Sequence, residues 1–167
     1  DTIYHEHLAY HSVKPLKYFF SDRGLDLFSI ENVSSHGGSI RGMVALAGGV
    51  HSSDGSVDEI IAEEKKIGLD KIKTFKTFGH NINVLGKQLK LLIKKIKADG
   101  KSIAGFGAPA KSTTLMYNYG LGSDEIDFIV DDSPLKQGLF SPGTHIPVLS
   151  PDALYDRHPD YVLILAW

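Results

Sequence analysis

No cysteine occurs among the 167 residues, which removes disulfides, thiolate zinc sites, iron–sulfur clusters and thiol nucleophiles together. Positive charge is not in excess either. Against 20 Asp and Glu stand 18 Lys and Arg, for a formal net charge of -2, so no global field draws the chain to nucleic acid. No apolar run approaches the ~20 residues of a membrane helix, and the N-terminus lacks the basic-then-apolar layout of a signal peptide. A soluble, cytoplasmic protein with no membrane and no nucleic-acid partner is expected. The chain opens on Asp1 without an initiator Met and stops at Leu163-Ile164-Leu165-Ala166-Trp167, so it reads as an excised piece of something longer, ending inside a buried strand. What is present is ordinary globular material, 42% hydrophobic and 23% charged, enough for one compact domain with a real core.

Three stretches divide that single domain 1–167. Residues 1–51 carry a chemically dense loop, a helix and a strand pair. Thr2 to Ser12 packs three His, one Glu and two Tyr together without a period of two or 3.6, as a functional loop does. Val13, Leu16, Phe19 and Phe20 then share a helical face up to Arg23, with Gly24 as its stop. Leu25–Val33 and Ser39–Ala47 alternate apolar and polar around Ser34-Ser35-His36-Gly37-Gly38, which predicts two neighbouring antiparallel strands. Residues 52–99 are helical. Ser56 with Glu59 forms a capping box for a helix to Gly68. From Leu69 to Asp99, Ile72, Phe75, Phe78, Ile82, Leu85, Leu89, Leu92, Ile93 and Ile96 recur at three- and four-residue steps, a core stripe with lysines on the solvated face. Residues 100–167 alternate strand and helix: strands at Lys101–Phe106, Phe128–Asp131 and Tyr161–Ala166, helices at Ala110–Tyr119 and Pro151–Arg157. Such βα units imply an α/β fold with a Rossmann-like parallel sheet in this C-terminal half, joined to the N-terminal strand pair and the long amphipathic helix.

Three motifs carry residue types suited to chemistry. Gly105-Phe106-Gly107-Ala108-Pro109-Ala110-Lys111 links a strand to a helix, where glycines let a ligand approach the backbone and the helix start offers N–H groups to a phosphate. Its spacing also satisfies G-x-G-x-x-A, and Asp131 ends the next strand where dinucleotide folds carry a ribose-binding acid. An NAD-dependent oxidoreductase fragment is therefore a rival reading, although Pro109 deletes one amide donor and Lys111 adds a cation. Tyr4-His5-Glu6-His7 provides groups for acid–base work near neutrality. Its His-x-His pair sits on a loop without Cys or a helical i, i+4 partner, so no metal site is read there. His36-Gly37-Gly38-Ser39 is either a turn or a second contribution to the same pocket. Lys136, Gly143 and His145 fall in loops beyond a parallel strand, the edge where open sheets bind ligands. A third reading makes the chain a non-enzymatic nucleotide-binding or interaction module using its Lys-rich helix.

Taken in order, Asp1-Thr2-Ile3-Tyr4-His5-Glu6-His7-Leu8, His36-Gly37-Gly38-Ser39, Gly107-Ala108-Pro109-Ala110-Lys111 and Pro134-Leu135-Lys136-Gln137-Gly138 with Pro142-Gly143-Thr144-His145-Ile146-Pro147 resemble the C-terminal domain of S-adenosylmethionine-dependent sugar C-methyltransferases. The family methylates carbon 3 of nucleotide-linked 4-keto-deoxysugars. Its members are similar to one another in having an N-terminal cysteine-ligated zinc module and a methyl-donor domain, both absent from this chain, ahead of a domain that holds the nucleotide sugar. The resemblance implies that His7 is the general base, that Tyr4 and Glu6 orient it or bind sugar, and that His36 assists. It places a dTDP-linked sugar near Gly105, Gly107, Ala108 and Lys111, with Asp131, Lys136 and His145 framing the nucleotide. S-adenosylmethionine would serve the full-length enzyme and not bind this chain, which alone would be inactive; no metal is implied here.

Overall fold

The structure is a computed structural model that describes residues 8–166. They form two compact units, residues 8–79 and 80–166. The boundary falls inside the long helix, away from residues 51 and 99 where the sequence changes its grammar.

In the first unit, α1 (Val13–Ser21) precedes the antiparallel pair β1 (Leu25–Val33) and β2 (Ser39–Leu46). The register runs from Leu25 opposite Leu46 to Val33 opposite Ser39, with one bulge between Leu27 and Ser29. That bulge matters for packing. Leu27 pairs with Val44 and Ile30 with Gly42, so the extra residue lets Leu27 and Ile30 share a face that strict alternation would deny them. Both are buried with Val13 and Val57, and Leu16, Phe20, Ile60 and Ile61 pack around them. The helix α2 (Ser56–Ile67) starts differently from the expected capping box. Gly55, in the left-handed region, is the N-cap and no side chain caps it. Ser56 instead turns its hydroxyl to β1, accepting the Ile30 N–H at 2.8 Å and bonding Asp54 Oδ1 at 2.5 Å. A cap residue thus became a tether between α2 and the strand.

The helix α3 (Ile72–Ala98) carries the expected apolar repeat, but Ile72, Phe75, Phe78, Leu85 and Leu92 are exposed. Only Gly86 and Ile93 are buried on it. The core stripe read from the sequence is corrected accordingly: within the second unit the helix docks through Leu89, Ile93 and Ile96 and through Gly86, where a Cβ would fall 2.4 Å from the Tyr119 ring.

The second unit follows the alternating pattern: β3 (Ile103–Phe106), α4 (Ala110–Tyr119), β4 (Phe128–Val130), β5 (Val148–Leu149), α5 (Ala153–Arg157) and β6 (Tyr161–Ile164). The four strands are parallel in the order β5-β4-β3-β6. All three residues of β4 are buried, as a central parallel strand covered on both faces requires. One cluster around Ile103, Met116, Leu121, Ile126, Ile129, Ile146 and Leu165 lies on one side, and a smaller one around Ala104, Phe128, Val130 and Ala153 on the other. The expected buried strand at Tyr161–Ala166 is corrected: among the described residues β6 pairs only with β3, Tyr161, Val162 and Ile164 are exposed on this edge, and Leu165 beyond it is buried. The two-residue β5, preceded by Pro147, was not legible as a strand. Two carboxylates fasten the strand starts. Asp160 accepts from Lys101 Nζ, the Ser102 N–H and the Ser102 hydroxyl, each at 2.9 Å, and Asp127 accepts from Lys97 Nζ and the Ile103 N–H. No helix among the described residues is long and apolar enough to cross a membrane.

Candidate functional site

Tyr4, Glu6 and His7 lie outside the described residues. His36 lies in the one-turn helix Ser35–Gly37 between β1 and β2, and its side chain is likewise outside the described part. The turn exists because Gly37 and Gly38 take φ of 81° and 126°, values that side chains with a Cβ resist. Beside this turn a cleft of about 680 Å³ is lined by Tyr10, His11, Asn32, Gly38, Ser39 and Glu64, among others. The residues that closely follow the Tyr4–His7 motif therefore share a cleft with the Gly38-Ser39 end of the His36 motif, within one unit. Glu64 of that cleft is engaged in holding a helix start. Its carboxylate accepts the Val13 N–H at 2.5 Å and the Lys14 N–H at 3.2 Å, satisfying the otherwise unpaired amides at the beginning of α1.

In the second unit the strand order reverses direction about β3. The chain moves from β3 outward to β4 and β5 and then returns to place β6 on the other side, and ligands of open α/β sheets bind at the carboxyl edge of such a switch point. The glycine turn sits on that edge. Gly107 has φ +87, and a Cβ on it would lie 2.3 Å from the Ala166 Cβ; its N–H donates to the Val130 carbonyl at 2.7 Å. Gly105 is packed inside the sheet, where a Cβ would meet Leu165 and Ile129. Packing alone therefore accounts for both glycines. Lys111 stands in the first turn of α4, whose N-cap is Pro109.

Asp131 is the organising residue here. Its Oδ2 accepts the Ala108 N–H at 2.7 Å and Lys136 Nζ at 3.0 Å, and its Oδ1 accepts the Ser133 N–H at 2.9 Å. Gln137 Nε2 donates to the Asp131 carbonyl. Burial works to raise the Asp131 pKa, and the bonds from Ala108, Ser133 and Lys136 outweigh it, holding the carboxyl below its ordinary value. Of the residues singled out in the sequence, Ala108, Asp131 and Lys136 are thus brought together. His145 is held separately. It adopts φ +53 in a loop whose framework is the Ser141 side chain: Ser141 Oγ contacts Thr144 Oγ1 at 2.6 Å and accepts the Ile146 N–H at 2.9 Å. The His145 N–H donates to the Ser141 carbonyl, while the residue itself is exposed.

Sequence reasoning did not single out Ser133 and Gln137, which bind Asp131 only because the loop folds back. Nor did it find the groove of about 570 Å³ along α4, lined by Ala110, Thr113, Thr114, Tyr117, Asn118 and Pro142. The signal for the groove was available: these helix positions recur at three- and four-residue spacing and form one face. Among the described residues no group of three or more His, Asp or Glu is placed to hold a metal ion.

Two comparisons bear on what this arrangement serves. The model of the family described as the C-methyltransferase C-terminal domain matches residues 34–167, from the turn between β1 and β2 onward. Across all 167 residues the chain is 39% identical to the C-methyltransferase NovU of Streptomyces niveus. It spans 40% of the length of that curated relative.

Proposed function

The chain belongs to the family of C-methyltransferase C-terminal domains, and on that premise we propose that it is the nucleotide-sugar-binding and general-base part of an S-adenosylmethionine-dependent enzyme. The proposed substrate is a dTDP-linked 4-keto-deoxysugar, methylated at the carbon next to the ketone. The observation that carries the reading is the match to a C-methyltransferase over the whole chain, which includes Tyr4, Glu6 and His7 as well as the glycine turn.

A ketone acidifies the adjacent C–H, so a base of near-neutral pKa can remove that proton and leave an enolate. His7 is the proposed base, Tyr4 and Glu6 orient it or hold the sugar, and His36 assists. The enolate carbon takes the methyl group of the sulfonium donor, which leaves as the neutral thioether. The donor is a second substrate held by another part of the enzyme, so the chain alone is expected to bind sugar nucleotide and transfer nothing. The diphosphate is proposed to lie against Gly107, Ala108 and Lys111, near the sheet edge carrying Gly105, with Lys136 and His145 on the flanking loops. The proposed setting is cytoplasmic. The dehydrogenase alternative has less support, because the acid at the end of β4 that would bind a dinucleotide ribose is already bonded to Ala108, Ser133 and Lys136.

Proton abstraction can be read without methyl transfer. In deuterium oxide, with sugar nucleotide and no methyl donor, the full-length enzyme should exchange the hydrogen on the carbon next to the ketone. His7→Ala should abolish that exchange and the methylation while leaving sugar-nucleotide affinity nearly unchanged. Exchange at the full rate in His7→Ala removes His7 from the base role.

A further inference from the structure

We infer that Asp131 is the positioning residue of the nucleotide site, holding the Ala108 N–H and the Lys136 ammonium in place without touching the ribose. The inference rests on the nucleotide-sugar reading above. Asp131 ends β4, next to the glycine turn, where an acid in a dinucleotide-binding sheet would accept both ribose hydroxyls. To do so a carboxylate must turn its lone pairs outward. In this chain three of the roughly four acceptor positions are already taken, Oδ2 by Ala108 and Lys136 and Oδ1 by Ser133, and the side chain is only 10% exposed. Giving up the Ala108 bond would strand an amide in the turn proposed to face the diphosphate. Gln137 pins the same residue from behind through its carbonyl, which fixes the path of the Asp131–Gly138 loop and hence the place of Lys136. The carboxylate thus joins the β3–α4 turn to the loop after β4, 23 residues apart in sequence. Its effect on a ligand passes through the Lys136 ammonium it orients and through the backbone path of the turn it fixes, since the single Ala108 N–H is already donated to the carboxylate.

The consequence is a site indifferent to the 2′-hydroxyl, one that accepts ribo- and deoxyribonucleoside diphosphates alike. Titration calorimetry of the chain with uridine diphosphate and 2′-deoxyuridine diphosphate tests this directly. The two affinities should agree within about twofold, whereas a carboxylate accepting the hydroxyl would favour the ribonucleotide by more than about tenfold. In Asp131→Asn one acceptor oxygen becomes a donor facing another donor. Both nucleotides should then weaken by about tenfold or more together, and the Ala108 and Ser133 amides should exchange with solvent faster by NMR. The weakening would occur even though Lys136 gains an unpaired charge beside the turn. A tenfold ribonucleotide preference in the unaltered chain overturns the inference, as does tighter diphosphate binding by Asp131→Asn. The first of these needs no variant, so a poorly folded Asp131→Asn leaves the test intact. If neither nucleotide binds the unaltered chain, the nucleotide-site reading itself fails, an outcome distinct from binding with a ribose preference.

Discussion

At Gly107 two demands meet: a left-handed backbone and an Ala166 side chain where a Cβ would go, 2.3 Å away. Gly107→Ala should therefore cost about 2–4 kcal/mol, from the positive φ and the overpacking together, read as a lower midpoint in chemical denaturation. Asp54 makes a different kind of prediction. Bonds from the Ser29 hydroxyl and from the Ser56 hydroxyl and N–H hold its pKa at about 2, below an ordinary 3.8. A carboxylate with a depressed folded pKa stabilises fully above the unfolded value and loses that contribution as pH falls through 3.8 toward 2. Asp160, held at about 2 by Ser102 and Lys101, adds in the same direction. Acid unfolding of the chain should steepen in that window, and Asp54→Asn should flatten part of it. The glycines and the helix start at Ala110 were legible in the sequence because turn chemistry is local. The distant partners of Asp131 and Asp54 were not, since Ala108 lies 23 residues from Asp131 and Ser29 lies 25 from Asp54, and nothing local announces such pairs.

Among the elements, α4 matches its expected bounds, Ala110–Tyr119, because Pro109 and Gly120 mark its ends chemically. The strand pair was equally readable from alternation, except for the bulge at Phe28, which reassigns Leu27 and Ile30 to one face. What failed was the face of α3. Periodicity shows that a helix has an apolar stripe; it does not show how much of that stripe finds a neighbour, and here Phe75, Phe78 and Leu85 remain exposed. The contact that does form in the second unit depends on a missing side chain at Gly86, against Tyr119. Gly86→Ala adds up to about 1 kcal/mol of helix propensity but must displace the ring at an overpacking cost of about 1–3 kcal/mol. A net loss of stability is expected. In a Tyr119→Ala background the same substitution should instead stabilise, and a double-mutant cycle of denaturation midpoints measures that reversal.

For the molecule as a whole, the α/β class, the parallel sheet of the C-terminal half and the family were legible, because βα alternation and ordered motifs survive without coordinates. The two-unit organisation was not, since its boundary lies within α3, where the helical pattern runs on without interruption. The motif that the proposed chemistry needs most, Tyr4 to His7, stands ahead of the matched family model at residue 34 and inside the match to the longer C-methyltransferase. A nucleotide-linked sugar is the proposed substrate, so binding is where the proposal is tested most directly. A ligand held only by the folded chain must raise its apparent stability, by about 2.7 kcal/mol at a hundred times its Kd. Thermal unfolding of the chain with dTDP, UDP, NAD and S-adenosylmethionine in parallel is the direct measurement. A nucleotide-sugar domain predicts a raised Tm with dTDP or UDP and none with the other two; a rise with NAD, or no response to either diphosphate, would contradict it.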